Sequence, residues 1–299
     1  MRAASGALVA LLVVGACAAA AVASRPVTLL YTNDLHLRFE RLDSLGELIE
    51  SQRGAADGDV LLLDAGDALH DFRRPVTAVY GAPEMIAWMN DAGYDAMALG
   101  NHDLYWGARQ VEELASTASF PILCANLVPD PGFLAPFLDC TVIDVGETRT
   151  LVIGLITNEF LPYADYPWLF MVDSVAAVRS VVADQEDVPD LTIVLCHLPV
   201  ASAAQLAETL PEVDVFVSGH SHETTADPLR VGDSIVVQAG AFARYLGRLR
   251  LEIGPDGDVR VVDHALLEAK QAPAVARRGL DRLLCVTAVM LATLALILL

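Results

Sequence analysis

Lysine is almost absent from this chain of 299 residues, since Lys270 is the single lysine beside eighteen arginines. Acidic residues number 39 against 19 basic ones, which gives a formal net charge of −20 at pH 7. A chain of this charge lacks the basic face that binds nucleic acids or anionic membrane surfaces. We therefore expect no nucleic-acid partner.

Cysteine is also scarce, with five residues, of which Cys17 and Cys285 lie in apolar terminal segments. The other three are too few for a disulfide framework, although Cys124 and Cys140 could pair in an oxidising compartment. Cys196 lies in an apolar run, and no cysteine has the polar neighbours that activate a thiolate. A cysteine nucleophile is therefore not expected.

Histidine is limited to seven residues, yet five of them fall in short polar patches that follow apolar runs: TNDLH, DAGD, GNHD, CHLP and GHSH. The candidate metal ligands in these patches are Asp34, His36, Asp67, Asn101, His197, His220 and His222, and GNHD also contains His102. The remaining histidines, His70 and His264, are expected to be ordinary surface or core residues.

The apolar runs predict β-strands at residues 27–32, 60–64, 95–99, 121–125, 151–156, 191–196 and 213–218. Helical periodicity at 42–52 and 108–117 separates some of them, which favours parallel strand units. Segments 235–239, 247–253 and 259–266 predict an antiparallel hairpin region. Every candidate ligand then follows the carboxyl end of a strand, where open α/β sheets place their sites.

Carboxylate, amide and imidazole groups in this arrangement suit a pair of divalent ions. Two such ions about 3.5–4 Å apart can clamp a phosphoryl group and neutralise the charge that develops during its transfer. The donor set fits manganese, zinc, iron or cobalt without distinguishing them. The patches therefore predict two divalent metal ions and an enzyme acting on phosphate esters.

The ordered set DLH, GD, GNHD, H and GHSH resembles the calcineurin-like metallophosphoesterase superfamily, and TNDLH with DAMALGNHDLYWG resembles its 5'-nucleotidase branch. The resemblance spans about residues 27–268 and implies an α/β fold, a four-layer αββα sandwich. It also implies two ligand sets that share Asp67. The first is Asp34, His36, Asp67 and His222, and the second is Asp67, Asn101, His197 and His220.

The same resemblance leaves His102 without a metal and makes it the catalytic histidine. The family pattern supplies an aspartate three residues after this histidine, where the present chain has Tyr105. Asp103, or a carboxylate from elsewhere, is then expected to orient His102. Leu37 is a second departure, at a position that is commonly glycine in the family.

We expect hydrolysis of phosphomonoesters, with 5'-nucleotides among the candidates and a metal-bridging hydroxide as nucleophile. The same centre could serve a phosphodiesterase that acts on cyclic nucleotides, nucleotide sugars or lipid head groups. A third interpretation is a metal-binding protein with little turnover, which the tyrosine at position 105 would favour.

No second globular domain is predicted, so either loops of the metal domain or a partner are expected to select the substrate. Arg73 and Arg74 could contact the phosphate, with a solvated loop as the equal alternative. Tyr163, Tyr166 and Trp168 could stack on a leaving group, and packing on the core edge or a membrane is the competing role.

The termini predict export. Residues 1–24 are uncharged after Arg2 and are typical of a signal peptide or N-terminal anchor. Residues 25–270 form the predicted metallophosphoesterase domain, and 271–299 a linker with a C-terminal hydrophobic anchor or anchor signal. We therefore expect an extracytoplasmic protein, periplasmic or at the cell surface, that contacts the membrane through its C-terminal apolar segment.

Overall fold

The computed structural model describes residues 24–71, 73, 81–130, 137–159 and 166–272. The predicted signal segment and the predicted C-terminal apolar segment lie outside these ranges, apart from residues 24, 271 and 272. Within these ranges, no helix has the length and apolar character needed to span a bilayer.

Fourteen strands are described within those ranges. They are β1 (Arg25–Thr32), β2 (Val60–Asp64), β3 (Ala96–Ala98), β4 (Ile122–Leu123), β5 (Leu127–Pro129), β6 (Cys140–Val145), β7 (Thr148–Ile156), β8 (Leu169–Met171), β9 (Leu191–His197), β10 (Val215–Ser218), β11 (Leu229–Val231), β12 (Ser234–Val237), β13 (Tyr245–Ile253) and β14 (Val259–Glu268). The helices are α1 (Leu42–Ala55), α2 (Ala82–Ala92), α3 (Ala108–Thr117), α4 (Ser174–Ala183) and α5 (Val200–Thr209). Short 3-10 turns cover Phe39–Arg41 and Asp103–Trp106.

These strands form two six-stranded sheets and a small β5–β8 ribbon. The first sheet has the order β14-β13-β1-β2-β3-β4, with β1 to β4 parallel and β13 antiparallel to β1. The second has the order β11-β12-β10-β9-β7-β6, with β7, β9, β10 and β12 parallel. The carboxyl ends of the parallel strands therefore meet at one edge of each sheet.

Apolar side chains from the inner faces of both sheets form the central core, for example Leu29 and Leu63 from the first sheet and Ile193 and Val217 from the second. Two further clusters pack helices on the outer faces, with α1 and α2 on the first sheet and α4 and α5 on the second. Burial of apolar area of this kind is the main stabilising contribution to folding. The predicted four-layer αββα arrangement is confirmed.

Local sequence explains the principal helices. In α1 the buried residues Leu42, Leu45 and Ile49 recur at helical spacing and face the first sheet. Helix α2 ends at Gly93, whose φ of 70° is the left-handed conformation that a helix-terminating glycine adopts. Helix α4 begins after Asp173, whose carboxylate accepts a hydrogen bond from the Ala176 amide at 2.9 Å.

The antiparallel prediction holds for part of the region. Strands β13 and β14 form an antiparallel hairpin, and β12 pairs antiparallel with β11 on one side and parallel with β10 on the other. Residues 235–237 are buried and apolar on both faces, which is typical of an interior strand. The possible Cys124–Cys140 pair is absent, since both thiols are free, while Cys196 is buried as expected.

Candidate metal centre

The predicted ligands gather where strand ends of both sheets meet. Asp34 and His36 follow β1, Asp67 follows β2, and Asn101 follows β3 in the first sheet. From the second sheet, His197 is the last residue of β9, while His220 and His222 follow β10. The structure therefore brings all seven candidate ligands to one site between the two sheets.

Backbone hydrogen bonds lock the ligand loops together. The Asp34 amide donates to the Gly66 carbonyl at 2.8 Å, and the His36 amide donates to the Asp67 carbonyl at 3.0 Å. Asp34 Oδ2 accepts from the His220 amide at 3.0 Å, which ties the second sheet to the first. The two sheets therefore fix the relative positions of the ligands before any ion binds.

Backbone strain is concentrated at this centre. Five of the seven ligands have a positive φ: Asp34, His36, Asp67, His220 and His222. Leu37, the departure from glycine noted above, has a φ of 55°. Left-handed conformations of non-glycine residues cost about 1–3 kcal/mol each and persist where function holds them. The distribution of strain thus marks the same loops as the sequence patches.

Two glycines allow the loops to approach. A side chain on Gly100 would overlap the carboxylate and the backbone of Asp67. Gly66 has a φ of 95°, and a β-carbon there would lie 2.9 Å from Nδ1 of His197. Both positions require glycine for steric reasons.

The first set of donors has one member that is exposed to solvent, His222, and we name it the open group: Asp34, His36 and His222. Oδ1 of Asp34 lies 3.3 Å from Nε2 of His222 and 3.7 Å from Nε2 of His36. The two imidazole Nε2 atoms are 3.2 Å apart. The side chain of His222 is 36% exposed, so a ligand can reach this group from solvent.

The second set is fully enclosed, and we name it the buried group: Asp34, Asp67 and His197. Nε2 of His197 lies 3.1 Å from Oδ2 of Asp67 and 3.2 Å from Oδ1 of Asn101. Nδ1 of His220 lies 3.1 Å from the same Asn101 oxygen. Candidate ligand atoms within each group lie within 4.8 Å of one another, and Asp34 belongs to both groups.

The resemblance made Asp67 the shared carboxylate. Its Oδ2 does lie near both groups, 3.1 Å from Nε2 of His197 and 3.9 Å from Nε2 of His36. Its Oδ1 is occupied, because it accepts a hydrogen bond from the His102 amide at 2.8 Å. Asp34 and Asp67 therefore both face the space between the groups.

Histidine tautomers show that these donors fit cations. Nδ1 of His36 donates to the His70 carbonyl and Nδ1 of His197 donates to the Ala65 carbonyl, each at 2.8 Å. A carbonyl can only accept, so the neutral rings must present the Nε2 lone pair to the site. These lone pairs face carboxylate and amide oxygens, which repel them unless a cation or a proton lies between. This is the outer-sphere arrangement of metal-bound histidine.

Charge coupling at the centre points the same way. Burial alone would raise the pKa of Asp34, but the imidazoles of His222 and His36 hold it below its usual range. Burial alone would lower the pKa of His197, whereas Asp67 raises it to about 10. In the metal-free protein a proton on the imidazole thus supplies the positive charge that a bound cation would supply.

His102 lies beside the ligands with its ring turned toward other aromatic rings. Its ring centroid is 5.4 Å from that of His36, 6.1 Å from that of His70 and 5.3 Å from that of Tyr105. Burial lowers the pKa of His102 to about 4. The imidazole is therefore neutral at pH 7 and acts through one N–H donor and one lone pair rather than as a fixed positive charge.

Asp103 has a different position from the one expected. Its Oδ2 accepts from the amides of Asp67 at 3.0 Å and Gly100 at 2.9 Å, and its Oδ1 accepts from the Leu69 amide at 2.8 Å. The carboxylate is fully buried among these donors. Asp103 thus joins the Asp67 and Asn101 loops, and the role of orienting the His102 ring does not fit these bonds.

The residues predicted to contact substrate differ in their positions. Tyr166 is buried, and its hydroxyl donates to the Leu104 carbonyl at 2.9 Å, so it braces the turn after His102 instead of meeting substrate. Trp168 packs against Tyr166 with ring centroids 5.8 Å apart. The Arg73 guanidinium lies 4.3 Å from the ring centroid of Phe242, whose ring in turn packs against His36 and His222 of the open group. Arg74 and Tyr163 lie outside the described residues.

The sequence analysis missed three neighbours of the centre. The ring of Phe242 lies 4.8 Å from that of His222 and 5.5 Å from that of His36, and its amide donates to the Asp34 carbonyl at 2.7 Å. Glu159 Oε2 lies 3.1 Å from Nε2 of His220. His70, which was set aside, contributes the carbonyl that fixes His36. Glu159 follows the end of β7 and has a ligand-type side chain, so the strand-end pattern could have found it, whereas Phe242 follows β12 but carries no donor.

The αββα sandwich thus places paired carboxylate and histidine groups at the strand ends of its two mixed sheets, an arrangement suited to divalent metal ions. The family model for the calcineurin-like phosphoesterase matches residues 27–224. The chain belongs to this family.

Several curated relatives are named 5'-nucleotidases. The chain is similar to human 5'-nucleotidase, with 30% identity over 86% of this chain and 52% of the relative. Similarity to the snake venom 5'-nucleotidase of Gloydius brevicauda is 32% identity over 83% of this chain and 50% of that protein. The chain thus spans about half the length of these curated relatives.

A solved structure shares the fold. The 5'-nucleotidase precursor from Thermus thermophilus superposes with a TM-score of 0.76 at 22% identity, over 90% of this chain and 60% of that one. At this identity the likeness concerns the fold, and the site must be argued from its own residues.

Proposed function

We propose that this chain is an exported, dinuclear metal-dependent phosphoesterase that hydrolyses phosphomonoesters, with 5'-nucleotides as the first candidates. The observation that carries the proposal is the pair of donor groups sharing Asp34, into which fixed Nε2 lone pairs of His36 and His197 point. Relatives named as 5'-nucleotidases support the substrate class.

Each group would hold one metal ion. Asp34, His36 and His222, with Asp67 nearby, would hold one ion, and Asp67, His197, Asn101 and His220, with Asp34 nearby, the other. Bound divalent ions would supply charge neutralisation for the phosphoryl group and a more acidic water. Metal identity is left open by the mixed donor set.

His102 would act on the phosphate or on the leaving oxygen. It lies beside the centre without a place in either donor group, and its neutral ring can donate one hydrogen bond to an anionic oxygen. Such a positioned donor typically contributes about 10²–10⁴-fold to a rate. Arg73, 42% exposed and hydrogen-bonded by Asp71 at 2.9 Å, is a candidate to attract the anionic substrate.

Export and anchoring rest on the sequence. We propose an extracytoplasmic location from the uncharged stretch of residues 3–24 and membrane contact through the apolar residues 283–299. The domain would then comprise residues 25–270. Fractionation of cells that express the full chain tests this: recovery in the cytosolic fraction would contradict it.

A substrate panel tests the reaction. The metal-loaded protein, with manganese or zinc, is assayed against 5'-AMP, glycerophosphate, bis-p-nitrophenyl phosphate and UDP-glucose. We expect phosphate release from the two monoesters. Preference for the diester or the nucleotide sugar would favour a phosphodiesterase, and two bound ions without turnover of any substrate would favour a metal-binding protein.

His102→Ala sharpens the assignment of roles. We expect this variant to keep its metal content while kcat falls by about 10²–10⁴-fold, because a donor outside the metal groups is removed. His264→Ala is the matched control. The ring of His264 is hydrogen-bonded to the Tyr31 hydroxyl at 2.8 Å and is not one of the predicted ligands. Full activity in His102→Ala would show that the assigned role is wrong.

A further inference from the structure

Tyr105 presents an aromatic face to solvent beside the proposed catalytic histidine. It is 41% exposed, one of the few large hydrophobic side chains with such exposure among the described residues. It lies in the 3-10 turn Asp103–Trp106, directly after His102. Neither the metal groups nor the proposed role of His102 uses this ring.

The ring of Tyr105 packs against two histidine rings. Its centroid is 5.3 Å from that of His102 with an interplanar angle of 47°, and 5.6 Å from that of His70 with an angle of 37°. The His70 and His102 rings are nearly parallel, at 11° and 6.1 Å. Tyr105 therefore packs at a tilt against both histidine rings, one of which belongs to the proposed catalytic residue.

The turn that carries Tyr105 is held on both sides of it. The Leu104 carbonyl accepts the Tyr166 hydroxyl at 2.9 Å, and Nε1 of Trp106 donates to the Leu69 carbonyl at 2.8 Å. Asp103 ties the start of the same turn to the ligand loops. A ring on such a fixed backbone loses little conformational freedom when a ligand packs on it.

We infer that Tyr105 is a specificity-determining residue that packs against the leaving group, favouring phosphomonoesters whose alcohol carries a flat ring close to the ester oxygen. The inference rests on the proposed function, in which His102 faces the scissile bond. An aromatic pair in offset or edge-to-face geometry would add about 2- to 12-fold in kcat/KM over an alkyl leaving group.

The experiment compares benzyl phosphate with ethyl phosphate, whose leaving alcohols have similar acidity, using the metal-loaded full chain. The quantity measured is the ratio of the two kcat/KM values. We expect Tyr105→Ala to lower the benzyl-to-ethyl ratio by about 2- to 12-fold, while Tyr105→Phe keeps it. Phe170→Ala, which truncates a ring that is 50% exposed on β8, is the matched control and should leave the ratio unchanged.

A binding measurement supplies a second readout. Benzylphosphonate is not hydrolysed, and its dissociation constant should rise in Tyr105→Ala while that of ethylphosphonate stays the same. An unchanged ratio in Tyr105→Ala, or an equal fall for both esters, would overturn the inference and leave ester hydrolysis intact. Absence of phosphate release by the wild-type protein from both esters and from 5'-AMP would instead overturn the proposed function, and release from 5'-AMP without either ester would overturn this inference alone.

Discussion

The open group and the buried group use similar donors in different surroundings. His197 of the buried group ends a central strand and is fully enclosed, whereas His36 and His222 of the open group lie in loops with positive φ. Charges interact more strongly where water is excluded. We therefore expect that, in the proposed dinuclear centre, the buried group would hold its ion more tightly and the open group would be the one that an incoming substrate reaches.

The largest effect is expected where the two groups coincide. Asp34→Asn removes a charge common to both, so we expect loss of both ions and a fall in kcat/KM of more than about 100-fold, since even outer-sphere changes cost 10–100-fold. Metal content by mass spectrometry checks this, with Asp57→Asn on the exposed surface as control. Retention of two ions in Asp34→Asn would break the idea of a shared carboxylate.

Single-ligand variants should separate the groups. We expect His197→Ala to lose the more tightly held ion, with metal affinity reduced by more than about 100-fold, and His222→Ala to weaken only the more accessible ion. Chelator titration of each variant resolves the two classes of ion. Equal effects in the two variants would mean that burial does not distinguish the groups.

Phe242 should matter to the open group alone. Phe242→Ala removes the ring that packs on His36 and His222, and we expect the affinity of the accessible ion to fall by about 10-fold through loss of ligand orientation. Phe242→Leu should restore part of it. The same chelator titration is the measurement, and a matching loss from the buried group would contradict this assignment.

The smallest effect belongs to Glu159. Its carboxylate contacts Nε2 of His220, but it is 56% exposed, so solvent weakens the interaction. We expect Glu159→Gln to lower metal affinity by less than about 10-fold. Glu186→Gln, on the exposed surface, is the control, and a loss as large as that of His197→Ala would overturn the ranking.

The sequence predicts which side chains gather at this centre because a strand end can be recognised from local sequence. Each apolar run shows where its strand ends, and the parallel sheet order brings those ends together, so the proximity of the candidate ligands Asp34, Asp67 and His197 could be predicted. The contacts of Phe242 could not be found this way. They depend on a left-handed loop about 200 residues from His36 in the chain, and no periodicity encodes that approach.

Asp103 and Tyr166 show the opposite limit. Their residue types suited catalysis and substrate stacking, but the side chain of each is committed to backbone partners that sequence does not identify. The sequence of segment 235–239 also did not reveal its parallel pairing with β10, because an apolar strand has the same pattern in a hairpin and in a parallel sheet. Hydrogen-bond partners and strand pairings between residues far apart in the chain were therefore the features that the sequence did not predict.

In the proposed function, two metal ions bind at one centre and both are needed for hydrolysis of the phosphoester. The most direct test titrates metal-free protein with manganese or zinc while measuring bound ion and phosphate release from 5'-AMP in the same samples. We predict that phosphate release from 5'-AMP rises only as the second ion binds and reaches its maximum at two ions per chain. Full binding of two ions without release, or full release with one, would contradict it.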